Sequence, residues 1–276
     1  MTEADAGWLS AHSDDEDDWR RWEEEDPIRQ IDFAVHVHYL HKYLQGSERV
    51  LEVGAGSGWF TRELAELADR IVVADISPAK LQRNKRNAHA LDYADAIEEW
   101  CECDMCNLKP HFDDGSFDAV VCYGGPLSYV FDRRERAIRE LYRVVHPGGL
   151  LFLSAKSLFG TLHESLPTIL NVPPGMNREI VETGNLGPSQ VALASRFWHA
   201  YRASEFEEFV EDTGAVVKDI SASNCLSATW SDVLTAWRAD QQTWDHLVEL
   251  EIEACKEPGC LDMGAHILAV AQKPRY

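Results

Sequence analysis

The strongest constraint on this chain is the run Val50-Leu51-Glu52-Val53-Gly54-Ala55-Gly56-Ser57-Gly58-Trp59-Phe60, an apolar strand that leads directly into three alternating glycines and then a helix. Glycine has no Cβ, so such a turn takes backbone angles closed to other residues and lets a bound molecule lie against the main chain. A second apolar run, Ile71-Val72-Val73-Ala74, ends at Asp75, 21 residues after Gly54. Strand, glycine turn, helix and acid-ended strand together form a nucleoside-binding βαβ unit, with the acid placed for ribose hydroxyls.

In the dinucleotide fingerprint G-x-G-x-x-G the third glycine would fall at Trp59, and the chain reads G-x-G-x-G instead. Glu52, two positions before the first glycine, would repel a pyrophosphate and attract a cationic group, which favours an amino-acid-bearing nucleoside. On these residues the chain resembles the class I S-adenosylmethionine (SAM) dependent methyltransferases, whose glycine motif commonly has an acid two positions upstream. The resemblance continues through Asp75 as the ribose acid, Cys103-Asp104-Met105 where an acid meets the adenine amino group, Phe117 to Tyr123 as the fourth strand, and Val145-His146-Pro147-Gly148-Gly149-Leu150-Leu151 entering the fifth. It is most specific over residues 46–156. Gly124 to Tyr129, Glu257-Pro258 and Gly264 to Val270 are similar to a subgroup near the ubiquinone-biosynthesis type, whose members do not share one substrate.

The resemblance implies an α/β fold: a Rossmann-like seven-stranded methyltransferase sheet flanked by helices, its last strand antiparallel and at the edge, with an N-terminal helical segment and a cap insertion. The implied cofactor is SAM, held by Glu52, Gly54, Ala55, Gly56, Gly58, Asp75, Ile76, Asp104, Met105 and Tyr123. Residues 1–27 form an acidic segment or lid, and 28–276 a single domain: cofactor core 46–156, cap 157–202, sheet completion 203–276.

Composition bounds the function. A chain of 276 residues with 45% apolar content buries one good-sized core. The net charge is −21, and residues 1–26 hold eleven acids against two arginines. Such a surface repels phosphate backbones within roughly 8 Å, a Debye length at physiological salt, and argues against nucleic-acid substrates. The acidic run reads as a solvated tail, or as a lid given Trp8, Trp19 and Trp22. No signal peptide or membrane span is evident, and with seven cysteines the reading is a cytoplasmic protein with reduced thiols, a monomer or homodimer. Cys101-x-Cys103-x-x-Cys106 lacks a matching second cluster, so no metal is expected.

Periodicity places a helix over 28–44 with Phe33, Val37, Leu40 and Leu44 on one face. Ser77-Pro78 starts another as N-cap and N1, and residues 133–145 form a third. From 157 to 202 prolines and glycines interrupt any long element. Ser204-x-x-Glu207 reads as a capping box, followed by strand Ala215-Val216-Val217, a helical segment over 231–255 and a final strand Ala265–Ala271. Trp230, Trp237 and Trp244 step by seven, which on one helix is a core stripe.

Methyl transfer needs little acid–base chemistry from a protein beyond deprotonating a hydroxyl or ammonium acceptor. His199, in Phe197-Trp198-His199-Ala200-Tyr201, is the leading base candidate, with a packing histidine as its alternative. Tyr123, at the end of the fourth strand, faces cofactor or acceptor, and His38 is a further substrate-site candidate, His36 lying on nearly the opposite side of the helix. Cys122-Tyr123-Gly124-Gly125-Pro126 lacks the Asn-Pro-Pro-Tyr pattern of many nucleobase and glutamine-amide methylators. The reading is therefore N, O or C methylation of a small, partly aromatic metabolite of natural-product biosynthesis. A quinone-pathway C-methyltransferase, a noncatalytic SAM-binding module and a nicotinamide dehydrogenase are the alternatives.

Overall fold

Short runs of β-branched and apolar residues, apolar on both faces, become the buried strands of a parallel sheet. In the computed structural model these are β1 (Arg49–Val53), β2 (Arg70–Asp75), β3 (Ile97–Glu102), β4 (Phe117–Cys122) and β5 (Val145–Lys156). A hairpin of β6 (Asn185–Leu186) and β7 (Trp198–His199) lies apart, and β8 (Val216–Ala222) and β9 (His266–Gln272) complete the main sheet. The structure describes residues 26–44, 48–166, 171, 173–187 and 197–275. The acidic N-terminal stretch expected as tail or lid lies outside the described residues up to position 25.

The strand order is β3-β2-β1-β4-β5-β9-β8, with β9 antiparallel to both neighbours. The expected antiparallel final strand is therefore present, but it is interior, and β8 is the edge. The burial of the two strands explains this: His266 to Ala271 are all buried, as a strand covered on both faces requires, whereas β8 is exposed or half-buried up to Ile220. The order reverses between β1 and β4. That switch point opens a crevice at the carboxyl ends of the strands, where ligands of open α/β sheets bind.

The helices are α1 (Pro27–Tyr43), α2 (Trp59–Leu67), α3 (Pro78–Ala90), α4 (Pro126–Tyr129), α5 (Arg134–Val144), α6 (Leu158–Glu164), α7 (Pro174–Thr183), α8 (Ala203–Glu211), α9 (Ser231–Trp237) and α10 (Gln241–Ala254). Two layers cover the sheet. On one face α1 to α3 pack Val35, Leu40, Leu64 and Leu81 against Val73, Val121 and Phe152. On the other, α5 and α8 pack Ile138, Leu141 and Phe206 against Leu51, Val120 and Leu153. Leu158, Ile180, Leu186 and Ala200 form a small separate core in the cap. Among the described residues no helix is long and apolar enough to cross a membrane.

Local signals place most helix starts. Asp26 caps α1 by accepting from Ile28 N at 3.0 Å, and Ser77 caps α3 through Lys80 N at 3.2 Å, each followed by proline at N1. Two expectations are corrected. α8 starts at Ala203, so Glu205, not Glu207, reaches back to the entry backbone at Arg202 N. The tryptophan stripe is not core: the helix breaks after Trp237, and Trp230 and Trp237 are 57% and 44% exposed.

These burials set stabilities that differ by site. Phe152→Ala, in the fully buried centre of β5, is expected to cost about 3–5 kcal/mol in urea unfolding. Trp237→Ala is expected to change stability by no more than about 0.5 kcal/mol, and a loss as large as that of Phe152→Ala would restore the core-stripe reading.

Candidate functional site

The glycine turn is pinned from three sides. Gly54 N and Ala55 N both donate to Ala74 O, at 2.8 and 3.2 Å, which ties the turn to the end of β2. Gly54 has φ of +71°, and a Cβ there would stand 2.7 Å from Cγ of Pro126, so only glycine lets the turn after β1 meet the turn after β4. The Asp75 carboxylate joins two segments: Gly56 N donates to Oδ2 and Ser77 N to Oδ1, both at 2.9 Å. Burial raises this carboxyl above its ordinary range, and the two N–H groups oppose the shift. Ile76, half-buried, follows at the strand end.

The same turns form a cradle. A Cβ added at Gly56 or at Gly124, both with positive φ, would meet nothing within 4 Å, so open space adjoins the backbone at the carboxyl ends of β1 and β4. With the Asp75 carboxylate at the neighbouring strand end, these residues offer room and hydrogen-bond acceptors for a nucleoside. On the far side, Asp104 Oδ1 accepts from Cys106 N at 2.9 Å and Oδ2 pairs with Arg133 Nη1 at 2.7 Å, which fixes the half-buried carboxylate beside buried Met105.

Glu52 lies deeper than the sequence reading put it. Its side chain turns into the helical layer, where Thr61 Oγ1 donates to Oε2 at 2.5 Å. Asn84 Nδ2 in turn donates to Thr61 Oγ1 at 2.8 Å, and Trp100 Nε1 to Asn84 Oδ1 at 3.1 Å. Burial pushes Glu52 up to about 8, with only the Thr61 hydroxyl opposing it. Its carboxyl therefore supports the floor of the glycine turn and the start of α2, a correction to a role as an open counter-ion. Gly58 closes over this network, since a Cβ there would stand 3.1 Å from Asn84 Nδ2.

The three catalytic candidates also need correction. Tyr123 directly follows β4, but its ring is buried among His36, Phe60 and Phe152 at centroid distances of 4.7, 5.3 and 6.2 Å, so only its backbone borders the crevice. Burial raises the phenol well above its ordinary range. His199 is 2% exposed and both ring nitrogens are engaged, Nδ1 with Asn185 Oδ1 and Nε2 with Glu205 Oε1, each at 2.8 Å. It ties the cap hairpin to α8, and no lone pair is left for an acceptor. His38 sits on the side of α1 near Lys42 and Lys256; burial and those cations lower its pKa. The buried face of α1 carries Ile31, Val35 and Tyr39, and on that phase His36 faces the sheet and His38 does not.

A buried polar cluster not expected from the sequence occupies that face. His266 Nδ1 lies 2.9 Å from Asp32 Oδ1, and His36 Nδ1 lies 2.7 Å from Asp32 O. The buried face of α1 could have pointed to Asp32 and His36 in the sequence, but no local signal links them to His266, 234 residues away.

Residues 51–153 match a family model described as Methyltransferase domain. Glycine/sarcosine N-methyltransferase of Parasynechococcus marenigrum is 32% identical over 128 residues, 46% of this chain and 43% of that enzyme's length. The chain thus spans less than half of that relative. tRNA 5-carboxymethoxyuridine methyltransferase of Escherichia coli is 22% identical over 82% of this chain and 80% of its own. Among solved structures, a SAM-dependent methyltransferase of Methanosarcina mazei superposes with a TM-score of 0.58 at 19% identity, covering 86% of this chain and 98% of that one.

The neutral, buried Glu52 makes the free protein's stability pH-dependent. The carboxyl is ionised in the unfolded chain above its ordinary value near 4.5 but keeps its proton in the folded state up to about 8, so folding takes up a proton between them and stability falls as pH rises. Between about pH 6.5, where the buried histidines stop contributing, and about pH 8, the melting temperature of Glu52→Gln should fall less than that of the natural protein. Parallel declines in a thermal-melt series would refute the neutral state.

Proposed function

We propose, from the premise that residues 51–153 form a class I SAM-dependent methyltransferase domain, that the chain transfers a methyl group to a nucleophilic atom of a small acceptor held beneath the cap. The observation that carries this reading is the open glycine cradle at Gly56 and Gly124 beside the Asp75 carboxylate, at the switch point of the sheet. When bound, SAM supplies an electrophilic methyl group and its own sulfur leaving group. Asp75 takes the ribose hydroxyls with lone pairs not used by Gly56 N and Ser77 N, and Asp104, held by Arg133, takes the adenine amino group. The glycine turn and the backbone at Tyr123 and Gly124 flank the amino-acid end. The rest of the work is positioning: holding the acceptor atom about 3 Å from the methyl carbon, in line with the breaking bond, and excluding water.

Two features support a small acceptor with an aromatic portion. Phe131, two residues after α4, and Phe197, 53% exposed beside β7, lie 5.6 Å apart and offer an apolar pair that an aromatic acceptor would pack against. The net charge of −21 opposes a polyanionic partner. A second reading, methylation of tRNA, is favoured by the long alignment to the Escherichia coli enzyme.

Calorimetric titration with SAM, S-adenosylhomocysteine and NAD tests the cofactor reading, with binding of the first two alone as the expected result. Binding of NAD, or of none, would overturn it. Asp75→Ala should weaken SAM binding by roughly 1.5–3 kcal/mol through lost hydrogen bonds to a charged acceptor. Radiolabelled methyl transfer to glycine, sarcosine, catechol, a naphthoquinol and total tRNA then separates the acceptor classes: label in the tRNA alone would replace the small-acceptor reading with the second.

A further inference from the structure

The cluster of Asp32, His36 and His266 lies at the carboxyl edge of the sheet, in the layer that connects α1 to the crevice. His266 opens β9 and pairs with Lys156, the last residue of β5, so it sits at the edge where the parallel strands end. A Cβ at Gly125 would be 3.4 Å from Nε2 of His266; Gly125 is followed by Pro126, which abuts Gly54 of the glycine turn. His266 is thus one loop away from the cofactor cradle. His36 joins it at a ring-centroid distance of 5.5 Å and rests on Tyr123 and Phe60, the residues that flank the two turns.

The hydrogen-bond network decides which nitrogens carry protons. The Asp32 carbonyl oxygen can only accept, so His36 Nδ1 donates to it and Nε2 keeps its lone pair. The Asp32 carboxylate accepts from His266 Nδ1, which leaves the lone pair of His266 on Nε2 as well. Burial pushes the Asp32 carboxyl up, but the two imidazoles beside it outweigh burial and hold it well below the ordinary carboxylate range. Both Nε2 atoms are buried and have no hydrogen-bond partner. Buried acceptors without a donor are rare, and one of them, His266 Nε2, adjoins Gly125 in the turn after β4. The three residues also have the composition of a metal site, but the Nδ1 atoms that converge on the carboxylate already donate hydrogen bonds.

We propose that His266, oriented through Nδ1 by Asp32, is the catalytic base of the methyl transfer, its Nε2 taking the proton from a hydroxyl or ammonium acceptor; this rests on the methyltransferase reading above. As the bond between the acceptor atom and the methyl carbon forms, the S–CH3 bond breaks and sulfur keeps the electron pair. The acceptor's proton moves to Nε2, and Asp32 stabilises the resulting imidazolium until the proton passes to water. Asp32 is a positioning residue that sets tautomer and ring orientation.

The electrostatic surroundings keep this base ready across ordinary pH. Facing His266 and His36 are Asp32 on α1, Tyr123 just after β4, Lys156 on β5 and, through Asp32 and Lys156, Glu164 on α6; Ser223 Oγ accepts from His266 N. Burial, then the Lys156 cation, push His266 down to about 4, so the imidazole is neutral above that pH.

The test begins with the ¹⁵N-histidine spectrum of the full chain bound to S-adenosylhomocysteine, which needs no acceptor. His266 should be neutral, with its proton on Nδ1, from about pH 5 to 9, and Asp32→Asn should shift the proton towards Nε2. A cationic ring at pH 7, or a proton on Nε2 in the natural protein, overturns the proposal. With whichever probe of the acceptor panel is methylated, His266→Gln should lower kcat by about 10²–10³-fold while SAM affinity stays within about twofold. Lys156→Met should move the acidic limb of the rate profile to higher pH. An unchanged kcat with intact SAM binding removes His266 from the chemistry and leaves the cofactor reading standing; a natural protein that does not bind SAM removes both. If no probe is methylated, the histidine spectrum alone decides.

Discussion

The crevice depends on the carboxylate of Asp75. It accepts from Gly56 N with one oxygen and from Ser77 N with the other, and so joins the glycine turn after β1 to the entry of α3. Without it two backbone donors at the mouth of the sheet would lose their acceptor, and the turn would keep only its ties to the Ala74 carbonyl and to Asn87 Nδ2, which donates to Ser57 O. The same carboxylate keeps lone pairs that Gly56 N and Ser77 N do not use, so the group that organises the turn is also the one proposed to take the ribose hydroxyls.

Beneath that surface the protein buries two kinds of ionisable group and treats them differently. Glu52 has a hydroxyl for company and no cation, so burial keeps it protonated, and it works as a neutral member of the Trp100–Asn84–Thr61 chain. Asp32 is equally buried but sits between two imidazoles, and it stays ionised. The difference is the partner beside each carboxyl, since desolvation opposes ionisation at both sites. Asp32 has imidazoles that, when protonated, attract its carboxylate and a His266 N–H that donates to it when the ring is neutral, whereas Glu52 has one hydroxyl. One group braces the floor of the turn, and the other orients a histidine at its rim.

Much of the architecture was legible in the residues because it rests on short-range rules. The apolar runs leading to Asp75 and Tyr123, the glycine turn, and the Ser77 cap with proline after it are each set by backbone sterics within a few residues. The misplacements share a different origin. Helical periodicity identified α1 but not its phase, and the choice between His36 and His38 depended on which side met the sheet. A step of seven made Trp230, Trp237 and Trp244 a stripe only if one helix spanned them, and the break after Trp237 leaves Trp230 and Trp237 largely in solvent. His199 lost its candidacy as a base because Asn185 and Glu205 occupy both its nitrogens.

The sequence by itself determined the order of strands and helices, the glycine turn and the acids at the strand ends, since each follows from backbone freedom and apolar pattern within one segment. Only the tertiary structure decided that the final strand enters the sheet between β5 and β8, and that this insertion brings His266 to Asp32 and His36. The physical reason is range: backbone preference acts over a few residues, whereas hydrogen bonding and desolvation depend on whatever the fold sets within a few ångströms, however distant it is along the chain.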